Sequence, residues 1–179
     1  ERVSDTLGLE APIEAYCVSS PEMNAFIAPP VDQRLLVGVS SPLLEKMSED
    51  ELTFVVGHEV GHVLFDHFSM APSIVLEMEE RLPPTQIARL YSWMRYAELS
   101  SDRVGLLCAQ DIDATVRAFF KITSGLCDER FLQNARQAAA QLDELGLDAV
   151  AAHGVGREAQ GLDHGHAVEQ QVAHGAGDL

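Results

Sequence analysis

The amino-acid sequence predicts an α+β fold that is mostly helical, with a small sheet of about three strands packed on one central helix. Three observations point there. Short β-prone runs crowd the chain before residue 41, a capped amphipathic stretch starts at Ser48, and helical periodicity dominates from Thr85 onward.

Residues 13–19 and 24–28 are the first two strand candidates, separated by a Ser20-Pro21 turn signal. A third run, residues 34–40, is rich in branched side chains and stops at Ser41-Pro42. Ser48 followed three residues later by Glu51 reads as a capping box. Leu52, Val55, Val56, Val63 and Leu64 then recur at helical spacing, so a helix is expected to about His67. Pro72 and the Pro83-Pro84 pair interrupt the chain. A long helix over residues 85–109 follows, with Ile87, Leu90, Met94, Leu99 and Leu106 on its apolar stripe. Further helices are expected over residues 113–123 and 128–145, the second around Ala138, Ala139 and Ala140.

After Ala151 the composition turns to Gly, His, Ala and Gln, and four of the seven histidines fall there: His153, His164, His166 and His174. Such a segment buries too little apolar surface to offset its ordering entropy. The chain therefore divides into a domain over residues 1–150 and a Gly/His-rich tail over residues 151–179.

At 179 residues and 46% hydrophobic content the chain suits one soluble globular domain, and no apolar run approaches membrane-spanning length. It begins at Glu1, which reads as an excised domain or a processed form with flanking segments elsewhere. Twenty-eight acidic against 12 basic residues give a formal charge of -16, which repels phosphates, so nucleic acid is excluded as a partner. Cys17, Cys108 and Cys127 form no CxxC pair and read as buried thiols in a reducing, cytoplasmic setting. Membrane association through segments absent from this chain is the other location considered.

Residues 58–62 read His58, Glu59, Val60, Gly61, His62. On a helix, positions four apart share a face, so both imidazoles can reach one metal ion while Glu59 points beside it. A catalytic zinc takes three protein ligands, and the third must come from elsewhere in the chain. A metzincin would place a histidine at position 68 and a glycine at position 65; both are phenylalanine, which excludes that subclass. His67 is one residue off that register and reads as a packing or outer contact. Glu98 is the stronger candidate. With Asp102 it forms a Glu-xxx-Asp pair on one helical face, so one carboxylate can hold the ion while the other accepts a hydrogen bond from a ligating ring.

Several blocks occur in a characteristic order: Asn24-Ala25-Phe26, Leu35-Leu36-Val37-Gly38-Val39, Leu43-Leu44, Ser48 to Leu52, Gly57 to His62 with His67, and Glu98 to Arg103. Across residues 20–125 this arrangement resembles the HtpX-like and CAAX-prenyl-protease-like zinc metallopeptidases, whose core is a zincin-like minimal gluzincin. The resemblance implies one zinc ion held by His58, His62 and Glu98, with Glu59 as general base and Asp102 orienting a ligand histidine. It also implies that Leu35, Leu36, Val37, Gly38 and Val39 form an edge strand that holds an extended or unfolded polypeptide by β-augmentation. The absence of membrane-spanning segments here resembles the soluble branch. The resemblance implies a His-Pro after the second motif, which this chain lacks, so the group that steadies the oxyanion is not identified; Tyr91, Tyr96 and a tail histidine such as His164 are the candidates considered.

The implied function is zinc-dependent endopeptidase activity, hydrolysing peptide bonds through a metal-activated water. The alternative is a non-catalytic zinc-containing protein-binding module, against which the free carboxylate of Glu59 counts. Trp93, Met94 and Tyr96 read as core packing.

Overall fold

The computed structural model describes residues 1–30, 32–70 and 82–128. The helix expected over residues 128–145, apart from Asp128, and the 151–179 tail with its histidines lie outside them. The elements in order are α1 (Arg2–Leu7), β1 (Ile13–Val18), β2 (Ala25–Ile27), β3 (Leu35–Ser40), α2 (Ser41–Lys46) and α3 (Glu49–Leu64). A 3-10 turn (His67–Met70), α4 (Pro84–Ala109) and α5 (Ile112–Ser124) follow. This is a mostly helical α+β arrangement.

The three strands form one sheet in the order β1-β3-β2. β1 runs parallel to β3, from Ile13 opposite Leu35 to Val18 opposite Ser40; β2 is antiparallel, with Phe26 opposite Gly38. The Phe26 ring covers Gly38 so closely that a β-carbon there would lie 2.3 Å from the ring tip. The glycine makes room for a cross-strand aromatic lid.

This topology corrects one expectation. Leu35, Leu36, Val37, Gly38 and Val39 lie in the middle strand, with β1 bonded on one side and β2 on the other, so they do not form an open edge. The edges are β1 and β2. Val37, Gly38, Val39 and Ser40 are all buried, and a near-continuous buried run rather than strict alternation marks a strand covered on both faces.

Ala25, Ile27, Val37 and Val39 of the sheet join Phe54, Val55 and Val60 of α3, Leu43 of α2, and Val104 and Cys108 of α4 in one core. The capping box at α3 is present in both directions. Ser48 Oγ accepts from the Glu51 amide at 3.3 Å, and the Ser48 amide donates to Glu51 Oε2 at 2.8 Å. Glu51 is also a buried anchor: it accepts from Lys121 Nζ at 2.7 Å and Arg117 Nε at 3.1 Å, while Lys121 donates to the Lys46 carbonyl. Burial alone would raise the Glu51 carboxyl, yet the hydrogen bonds from Lys121 and the Ser48 amide hold it below its ordinary value. One carboxylate thereby ties the start of α3 to α2 and α5.

Two short helices were not expected. α1 is six residues closed by Gly8 in the left-handed region, too short to show periodicity; α2 begins at Ser41-Pro42, where proline fits the first turn as readily as it ends a strand. The cysteine expectation also needs correction. Only Cys108 is buried; Cys17 is exposed on the edge strand β1, and Cys127 is half-buried beyond α5. Burial pushes the Cys108 thiol up to about 11, which makes it a packing group. No helix among the described residues is long and apolar enough to cross a membrane.

Candidate metal centre

The site is built where α3 crosses α4, and small residues set the spacing. A β-carbon on Gly57 would meet the Cys108 side chain at 2.9 Å and the Gly105 Cα at 3.1 Å. One on Gly61 would lie 2.9 Å from the Ser101 Cα, and one on Gly105 2.7 Å from the Phe54 carbonyl oxygen. Gly57 and Gly61 are one helical turn apart, as are Ser101 and Gly105, so two small-residue faces meet and the backbones come close. Glu98 and Asp102 flank Ser101 on α4 and are carried onto the histidine face of α3.

His58, His62 and Glu98 converge there, each offering one donor atom within 4.8 Å of the others. The two Nε2 atoms are 3.1 Å apart; His58 Nε2 is 3.5 Å from Glu98 Oε2, and His62 Nε2 is 3.6 Å from Glu98 Oε1. Zinc bonds of 2.0–2.1 Å in a tetrahedral shell put neighbouring donors roughly 3.3 Å apart. The separations lie near that value, with the two histidines facing different oxygens of the Glu98 carboxylate, so the three side chains are close enough to hold one ion.

The other face of the His58 ring is fixed by Asp102, whose Oδ1 accepts from Nδ1 at 2.8 Å. That bond holds the Nδ1 proton and aims Nε2 at Glu98, so a metal ion would be met by Nε2 once its proton is released. The second oxygen of Asp102 is a buried atom with no hydrogen-bond partner among the described residues. Negative charge is concentrated around the ring. Burial pulls the His58 pKa down, but hydrogen bonds to Asp102 and Glu98 and the charge of Glu59 outweigh it and raise the pKa to about 9. The pocket is thus electrostatically matched to a cation, and Glu59, buried beside His58 on α3, contributes to that field.

α3 ends at Leu64, one turn earlier than the sequence suggests, because Asp66 takes a left-handed conformation with φ 53°. The chain reverses and brings His67 back over the site: its Nδ1 lies 3.1 Å from His62 Nδ1, its Nε2 3.3 Å from Ser100 Oγ, and its ring packs edge-on against Trp93. Burial lowers the His67 pKa below the ordinary imidazole value. Ser100, Ser101 and Trp93 are site neighbours that sequence reading missed, since only the break after Leu64 brings them near His67. Tyr96, by contrast, is 71% exposed and lies two residues from Glu98, on the opposite helical face, so it neither packs in the core nor reaches the site. Tyr91 is seven residues before Glu98 and shares its face; His164 is outside the described residues.

A helix-borne histidine pair, a carboxylate from a second helix and a buried acid beside them make a candidate metal centre. The profile of Peptidase family M48 matches residues 1–81. The plastoglobule-localized metallopeptidase 48 of Arabidopsis thaliana chloroplasts is 30% identical over 149 residues, covering 74% of this chain and 43% of that protein. Protease HtpX of Shewanella halifaxensis and that of Shewanella frigidimarina are each 45% identical over 62 residues, 35% of this chain and 21% of theirs. No solved structure matches the chain. These matches support an HtpX-like metallopeptidase family, M48, for this chain. The chain spans less than half the length of these curated relatives.

Proposed function

We propose that this chain carries the active centre of a zinc-dependent endopeptidase with a zincin-like core, contained in the domain over residues 1–150. The observation that carries the reading is the convergence of His58 Nε2 and His62 Nε2, 3.1 Å apart, on the Glu98 carboxylate, whose Oε2 lies 3.5 Å from the first and whose Oε1 lies 3.6 Å from the second. Two imidazoles and one carboxylate suit zinc among the divalent metals and leave a fourth position open. Held there, zinc would polarise a peptide carbonyl and lower the pKa of water toward ~7.

The protein's own groups do the rest. His58 and His62 are held one turn apart by α3, Glu98 closes the set from α4, and Asp102 fixes the His58 ring so that its Nε2 faces inward. Glu59, adjacent to His58, takes the proton from the attacking water and returns it to the departing amine. Burial beside His58 keeps this carboxylate out of bulk solvent.

The test uses an unstructured, internally quenched peptide and a zinc assay on the same preparation. Glu59→Gln should retain zinc and lose turnover by about 10²–10⁴-fold, the range for removing a general base. Wild-type turnover in that variant would refute the role of Glu59. Zinc-free wild-type protein with full turnover would refute the reading as a whole.

A further inference from the structure

We propose that His67 is a positioning residue for His62, accepting the His62 Nδ1–H and passing its own orientation to α4 through Ser100. This rests on the reading of His62 as a metal ligand and assigns the partner of its outer nitrogen.

His62 Nε2 faces His58 Nε2 and Glu98, so a ligating His62 carries its proton on Nδ1 and needs an acceptor there. The atom 3.1 Å away is His67 Nδ1. A nitrogen can accept only if its own proton sits elsewhere, which places the His67 proton on Nε2, directed at Ser100 Oγ 3.3 Å away. Ser100 in turn donates to the carbonyls of Tyr96 and Ala97 at 2.9 and 2.8 Å. Every donor in the series has an acceptor, and the direction runs from the site outward to the α4 backbone. Ser101 Oγ, 3.4 Å from His67 Nδ1, flanks the same nitrogen.

The backbone is shaped for this contact. Five residues along an unbroken helix would rotate His67 roughly 140° away from His62. The left-handed Asp66 ends the helix after Leu64 and reverses the chain, and Trp93 packs edge-on against the His67 ring at a centroid distance of 5.9 Å. His58 and His62 are therefore oriented by different chemistry: a carboxylate for the first, a neutral imidazole for the second.

The experiment compares His67→Leu, His67→Asn and His67→Gln by zinc affinity in a chelator competition and by the visible spectrum of the cobalt-substituted protein. Asn presents an oxygen near the position of Nδ1, whereas Gln presents it near Nε2. His67→Leu and His67→Gln should bind zinc about 10–100-fold more weakly, with an altered cobalt spectrum, and His67→Asn should recover most of the affinity and the wild-type spectrum. A purely packing role would favour Leu or make no distinction between Asn and Gln. Equal affinities for Asn and Gln overturn the proposal, and that pair decides it even if the Leu variant does not fold. If wild-type protein binds no zinc, the reading of His62 as a ligand has failed instead.

Discussion

Gly61 on α3 and Ser101 on α4 approach so closely that a β-carbon added to the glycine would stand 2.9 Å from the serine Cα. The contact is backbone, which cannot rotate aside. Gly61 lies immediately before His62, and Ser101 lies immediately before Asp102. The distance between these two residues therefore sets the distance between the histidines and the acids of α4.

Gly61→Ala should force the helices apart by several tenths of an ångström and destabilise the fold by about 1–3 kcal/mol, the usual cost of overpacking. It should also weaken zinc binding, because Glu98 and Asp102 move with α4. Urea unfolding and chelator competition measure the two effects. Unchanged zinc affinity would show that the crossing does not govern the donor separations.

Asp102→Asn keeps the shape of the side chain but removes the negative charge facing His58 Nδ1. Zinc affinity should fall about 10–100-fold, the typical effect of losing an outer carboxylate. A variant with wild-type affinity would contradict the orienting role.

In metal-free protein, the His58 pKa of about 9 lies above its ordinary 6.5, so the folded state binds a proton the unfolded state has released between these values. That stabilisation is complete below about pH 6.5 and is lost as pH rises through about 9, on the order of 3 kcal/mol in all. Urea midpoints of chelator-treated protein should decline across this window, and less steeply in Asp102→Asn. A flat profile would contradict the charge balance described for the site.

Glu51 and Lys121 form a buried pair 2.7 Å apart at the start of α3, but their remaining partners are unequal. Without Lys121, Glu51 keeps Arg117 and the Ser48 amide; without Glu51, the Lys121 ammonium keeps the Lys46 carbonyl and α3 loses its capping box. Glu51→Ala should cost about 3–5 kcal/mol and Lys121→Ala less. Equal losses in urea unfolding would contradict this ordering.

The sequence revealed the strands and long helices because hydrophobic period and capping are local. Residues 34–40 read as a strand, and β3 occupies residues 35–40; Ser48 and Glu51 marked the start of α3, and the helix expected from Thr85 begins at Pro84. What local signals could not give was neighbourhood. The middle position of β3 depends on β1 and β2 closing on it from both sides, which no signal within residues 34–40 announces. The donor set was legible as spacing, since the four-residue intervals 58–62 and 98–102 each define a face. That these two faces meet depends on Gly57, Gly61 and Gly105, whose close packing is a property of the helix pair. His67 read as a packing or outer contact, but which ring it meets follows from a left-handed Asp66, which no periodicity announces.

The central claim, that α3 and α4 together hold one metal ion, is tested most directly by zinc stoichiometry after exhaustive dialysis of wild-type protein and Glu98→Ala. Glu98 is on a different helix from both histidines and within 3.6 Å of each Nε2. Wild-type protein should retain about one zinc per chain, and the variant, still folded by circular dichroism, should retain little. A Glu98→Ala protein that keeps its zinc with wild-type affinity would contradict the account.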